Sequence, residues 1–128
     1  MILIIGGAFQ GKMDYAKKEF QLKERDIFQC SGEDMVLDFD KKAVNNLERF
    51  VLACIREDID PRECLEEHIE KLRDKIILCD DISQGVVPMD ETERAWREMT
   101  GRCLVYLGQE ADRVIRVFCG IPEIVKGE

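Results

Sequence analysis

The stretch that decides the fold is MILIIGGAFQGKM, Met1–Met13. Five apolar residues run without a break and end in two glycines. A continuous apolar run closed by glycine reads as a strand buried on both faces, the kind found in parallel sheets. The pattern G-x-x-x-x-G-K follows, on Gly6, Gly11 and Lys12. Between an apolar strand and a helix, such a loop turns successive backbone N–H groups toward a phosphate. The helix N-terminus adds partial positive charge, and the lysine reaches the terminal phosphates. The candidate nucleotide-binding residues are therefore Gly6, Gly7, Ala8, Phe9, Gln10, Gly11, Lys12 and Met13. Met13 breaks the pattern, because a Ser or Thr hydroxyl normally stands there to ligate Mg²⁺. A thioether is a poor ligand for so hard a cation. The competing reading is a strand-to-helix turn that uses glycine only for close packing.

Downstream, apolar runs alternate with helical patterns, as in βα units around a parallel sheet. Residues 12–23 read as a helix with Met13, Ala16 and Phe20 inward. Residues 26–30 read as a short strand, and DMVLDF (34–39) as a better one. Residues 41–57 place Val44, Leu47, Val51, Cys54 and Ile55 at helical spacing. Asp60, Pro61 and Glu63 start a further helix to about Arg73, with a capping-box pattern. KIILC (75–79) is a strand, and a loop from Asp80 leads to a long helix opened by Asp90 and Glu93. RVIRVFCG (113–120) is the last strand, and IPEIVKGE a short tail. The sum is one α/β domain over residues 1–128, with a mostly parallel sheet of about five strands.

The 128 residues carry a net charge of −8, with 45% hydrophobic residues. The acidic balance disfavours nucleic acid and anionic membrane surfaces as partners. No apolar run approaches the roughly 18 residues of a membrane-spanning helix. The N-terminus lacks the basic flank and long apolar core of a secretion signal, so the chain reads as cytoplasmic. Six widely spaced cysteines without a C-x-x-C pair support neither a zinc site nor a redox motif.

Two acidic stretches compete for catalytic and metal-holding roles beside Lys12. Asp38 closes MVLDF as a strand-end acid does when it holds Mg²⁺ directly or through water, with Asp40 as a rival. Asp80 and Asp81 follow a strand at its carboxyl end, where open α/β sheets bind ligands. His68 is the single histidine. It sits mid-helix without a sequence neighbour to work with, as a surface or boundary residue does.

From Ile77 to Lys126 the chain resembles the bifunctional adenosylcobinamide kinase / adenosylcobinamide-phosphate guanylyltransferase family of cobalamin biosynthesis. That family runs a strand into N-E-V-G-x-G-I/V-V-P, then R-x-F/W-R-D/E-x-x-G-R, then A-D-x-V and a G-I/L-P-like end. Here stand Gly85, Val86, Val87 and Pro88, then Arg94, Trp96, Arg97, Gly101 and Arg102, then Ala111, Asp112, Val114, Gly120, Ile121 and Pro122. The opening ILIIGGAFQGKM resembles the family's G-G-A-x-x-G-K-S loop. The resemblance implies a phosphate-loop, RecA-like three-layer sandwich, often assembled as a homo-oligomer. It implies Mg²⁺ with GTP or ATP, cobinamide as acceptor, and two activities: phosphorylation of a cobinamide hydroxyl and GMP transfer through a guanylylated histidine. Lys12, Asp38 and Asp81 are the catalytic residues it implies, with Asp38 and Asp81 on the metal. Departures accompany it. Met13 replaces the loop hydroxyl, the N-E pair becomes Asp80-Asp81, Leu104 and Val105 replace an N-Q pair, and no histidine lies between Lys12 and Asp38. A nucleotide- or partner-binding protein without catalysis, or a kinase for another small alcohol, are the alternative readings.

Overall fold

The computed structural model describes residues 1–82 and 90–127; the motif residues Gly85, Val86, Val87 and Pro88 lie outside them. Among the described residues, strand β1 (Ile2–Gly6) is flanked by β4 (Ile76–Asp80) and β5 (Arg113–Phe118), both parallel to it. Outside β4 come β3 (Ala43–Asn45) and β2 (Ile27–Gln29), also parallel. Outside β5 lies β6 (Ile121–Lys126), antiparallel, so the order is β2-β3-β4-β1-β5-β6.

Helices cover both faces. On one, Leu3, Val44, Ile77, Cys79 and Val114 meet α2 (Leu47–Arg56), α3 (Pro61–Glu67) and α5 (Glu91–Glu110) through Phe50, Val51, Leu65 and Leu107. On the other, Ile4, Leu78, Ile115 and Val117 meet Ala16 of α1 (Lys12–Phe20). The period of two along each strand assigns alternate residues to the two layers. The three-layer α/β fold expected from the sequence is present, and the phosphate-loop strand occupies the middle of the sheet. None of the described helices is long and apolar enough to cross a membrane.

Three expectations need correction. DMVLDF forms no strand: Met35, Leu37 and Phe39 pack on the core, but their backbone joins no ladder. The strand in this region is β3, inside the stretch expected to be helix. Ala43 and Val44 are almost fully buried there, and Asn46 at φ 57° turns the chain into α2. The expected tail is β6, folded back on β5 through a two-residue turn with Cys119 at φ 53° and Gly120 at φ 73°. Two successive left-handed residues define a primed turn, whose twist suits a hairpin. Among the described residues the sheet therefore has six strands rather than about five. His68 caps the break between α3 and α4 (Ile69–Leu72), with its ring stacked on Phe39.

Candidate functional site

The site begins where β1 runs out. Gly6 has no room for a side chain, since a Cβ would stand 2.4 Å from the Val117 carbonyl oxygen of β5. Gly11 at φ 91° caps α1 without any side-chain hydrogen bond, so the first N–H groups of that helix face the loop unclaimed by a cap. Phe9, at φ 62°, is pushed fully into solvent at the loop's rim. Gln10 fastens the loop to the β5–β6 turn. Its Oε1 accepts the Cys119 N–H and its carbonyl accepts the Gly120 N–H, both at 2.8 Å.

Lys12, the first residue of α1, is 7% exposed. Its Nζ donates to the Gly7 carbonyl at 2.8 Å and meets Asp80 Oδ1 at 2.6 Å. Asp80 ends β4 directly opposite Gly6 in the ladder, and its carboxylate reaches the α1 layer as Leu78 does. Its N–H is held at 2.8 Å by Oε1 of Glu48, a 2% exposed carboxyl on the first turn of α2. The Glu48 carbonyl in turn accepts the Trp96 indole N–H of α5 at 2.6 Å. Burial pushes the Glu48 carboxyl above its usual range, and the nearby Asp80 charge adds to that. A cleft of about 550 Å³ opens over this arrangement, lined by Ala8, Gly11, Lys12, Met13, Asn45 and Asp80 among others. That volume falls within the roughly 300–1,000 Å³ of small-molecule sites.

The structure thus brings Gly6 through Met13 into one loop but does not bring Asp38 to it. Asp38 accepts the Asp40 N–H in a turn ahead of β3, at the amino end of the sheet. The strand that reaches the cleft beside β4 ends instead in Asn45, followed by Asn46, and both donate to Gln29. Asp81 lies past the end of β4, where its N–H bonds the Gly6 carbonyl at 2.8 Å. It lines a smaller cavity on the other side of the loop, with Gly6, Gly7 and Arg116. The acid that meets Lys12 is therefore Asp80, and the period of two could have shown it: Leu78 and Asp80 share a face, and Asp81 takes the opposite one. Glu48 and Arg116 carried no sequence signal.

The loop position where a hydroxyl would meet a magnesium ion offers none. A thioether stands at Met13, amides end β3, and the Asp80 carboxylate is engaged by Lys12. Among the described residues, no group of three or more His, Cys, Asp or Glu side chains is placed to hold a metal. Three of the cysteines are poor nucleophiles: burial pushes the Cys30, Cys54 and Cys103 thiols up to about 12.

A glycine loop and lysine at the carboxyl edge of a central parallel strand, with helices on both faces, define the phosphate-loop class of nucleotide-binding α/β proteins. Within that class the model of the cobinamide kinase / cobinamide phosphate guanyltransferase family matches residues 40–125, more than half of the chain, and the chain belongs to that family. The matched span starts beyond the glycine loop, so loop and match are separate observations. No curated protein matches the chain.

Proposed function

We propose that the chain binds a nucleoside triphosphate, GTP or ATP, at Gly6–Met13 and phosphorylates a hydroxyl of a cobinamide-type acceptor. The observation that carries this is Lys12. An ammonium held almost out of water, at an uncapped helix N-terminus and against one carboxylate, is poised for an anion that replaces that carboxylate. In the reaction the acceptor oxygen attacks the γ-phosphorus. The bond from that phosphorus to the β–γ bridging oxygen breaks, and nucleoside diphosphate leaves. The hydroxyl proton passes to Asp81. Lys12 and the amides from Gly7 to Lys12 stabilise charge on the transferred group.

The histidine-linked guanylyl step has no support in this chain. His68 stacks on Phe39, which lines a cavity with Lys75, the residue before β4, at the sheet's amino end. Met13 and the Lys12–Asp80 pair favour a second reading, nucleotide binding without transfer. Radiolabelled γ-phosphate offered with adenosylcobinamide separates the two. Labelled acceptor supports the kinase, and nucleotide bound without any labelled product supports the second reading. Labelling of a simple amino alcohol but not of adenosylcobinamide indicates a kinase with another substrate. Homo-oligomerisation, which family resemblance implies, is measured by sedimentation.

A further inference from the structure

The glycine loop does not hold its own shape. Phe9 stands at φ 62°, a left-handed conformation that strains a bulky L side chain. Its ring is fully exposed, so no packing offsets that strain. Lys12 holds the Gly7 carbonyl, but its ammonium is the group a phosphate would claim. The remaining hold on the loop comes from outside it, through Gln10.

That hold runs to the β5–β6 turn. In a two-residue hairpin the N–H groups of both turn residues point away from the ladder and find no acceptor within it. Here those residues are Cys119 and Gly120, closed by the Phe118–Ile121 pair. Gln10 accepts both N–H groups, the first on its Oε1 and the second on its backbone carbonyl, each at 2.8 Å. An N–H can only donate, so the amide oxygen of Gln10 is the atom that faces Cys119. The two backbones also touch: a Cβ on Gly11 would stand 3.1 Å from the Gly120 Cα. The turn is itself fixed, because β5 lies in the ladder beside β1. The loop is thus tied at one end to β1 and from the side to the strand next to it.

Gln10 does not line the cleft that holds Lys12 and Asp80. It lines the smaller cavity on the loop's other side, with Gly6, Gly7 and Asp81. Its side chain therefore acts on a ligand of the cleft through the loop's amides.

We infer that Gln10 is a positioning residue: its two bonds to the β5–β6 turn hold the loop in its phosphate-receiving shape before a nucleotide arrives. The inference rests on the loop being the nucleotide site, and deepens that reading by naming what preorganises it. A loop that is competent only part of the time binds more weakly by the inverse of that fraction. The loss then falls on association, since the bound loop is ordered by its ligand.

The test compares wild type, Gln10→Met, which keeps the length and removes the acceptor, and Gln10→Glu, which keeps an acceptor. Stopped-flow kinetics with N-methylanthraniloyl GTP and ATP read the rates, and hydrogen exchange reads the Cys119 amide in the free protein. Gln10→Met should speed Cys119 exchange, and Gln10→Glu should leave it as slow as in wild type. Gln10→Met should slow association about fivefold, roughly the net worth of one hydrogen bond. The factor should be the same for both nucleotides, because the loop's amides meet phosphate rather than base, and dissociation should stay within twofold. The inference is overturned if association by folded Gln10→Met changes less than twofold, if the whole loss lies in dissociation, or if Cys119 exchange does not depend on the acceptor. If wild type binds through Lys12 while Gln10→Met binds as well, the nucleotide reading stands and only the positioning role falls. If neither nucleotide binds wild type, both fall.

Discussion

Replacing Asp80 by Asn should strengthen nucleotide binding. In the free cleft Asp80 Oδ1 sits 2.6 Å from Lys12 Nζ and occupies the ammonium that a terminal phosphate needs. A bound phosphate must take that ammonium and then lies within about 5 Å of a carboxylate. Two unit charges at that distance repel by about 3 kcal/mol at an effective dielectric of 20. The Asp80 side chain is 24% exposed, so solvent and salt reduce this to about 1–2 kcal/mol. The expected gain for Asp80→Asn is thus roughly tenfold in affinity for GTP or ATP. Asparagine keeps the shape, and the bond from the backbone N–H to Glu48 is untouched. The same change leaves the Lys12 ammonium with the Gly7 carbonyl as its partner, so the free protein should melt a few degrees lower. Nucleotide should restore more than that difference. Calorimetric titration with EDTA, repeated with magnesium, reads the affinity, and a thermal scan reads the rest. Weaker binding by Asp80→Asn, above all a loss confined to the magnesium arm, would refute the reasoning and make Asp80 a metal ligand.

Three further outcomes are expected. Met13→Ser puts a hydroxyl at the second residue of α1; magnesium should change wild-type nucleotide affinity less than about twofold and that of the serine variant about tenfold, read by the same titrations. Gly6→Ala drives a Cβ to 2.4 Å from the Val117 carbonyl and should cost at least about 2 kcal/mol in a denaturant melt. Glu48 holds its proton in the folded state above its ordinary value of 4.5, where the unfolded chain has released it. Stability therefore falls as pH rises from about 4.5 through the folded value, by at most about 1.4 kcal/mol per pH unit. Glu48→Gln should remove that slope, so its melting temperature should rise relative to wild type on going from pH 4.5 to neutral; a constant difference would contradict a raised Glu48.

What the sequence makes legible follows from where the physics is local. MILIIGG and KIILC are buried on both faces, so their apolar runs announce central strands without reference to partners. Asp60, Pro61 and Asp90 announce helix starts because capping is satisfied within four residues: Asp60 accepts the Arg62 N–H and Asp90 the Thr92 N–H. β3 was hidden because three residues decide nothing locally; Ala43 and Val44 are strand because β2 and β4 supply ladders on both sides. DMVLDF alternates correctly, with Met35, Leu37 and Phe39 facing the core, yet alternation needs a neighbouring edge to become a strand, and β4 already pairs with β3. Asp38 was lost as a site residue with that strand. The exposed β6 has no core-facing run, and its pairing rests on the turn at Cys119 and Gly120. Lys12 and its loop were legible because glycine, cation and helix start are contiguous. The Asp80–Glu48 contact joins β4 to α2 across 32 residues, and Arg116 matters only because β5 lies beside β1.

The measurement that decides most is the titration of GTP and ATP into wild type and Lys12→Ala, each checked for a folded spectrum. Binding of at least one nucleotide by wild type, weakened at least tenfold in Lys12→Ala, is the expected result. Failure of both nucleotides to bind the wild-type chain, or equal affinity in the folded Lys12→Ala variant, would contradict a nucleotide site at Gly6–Met13.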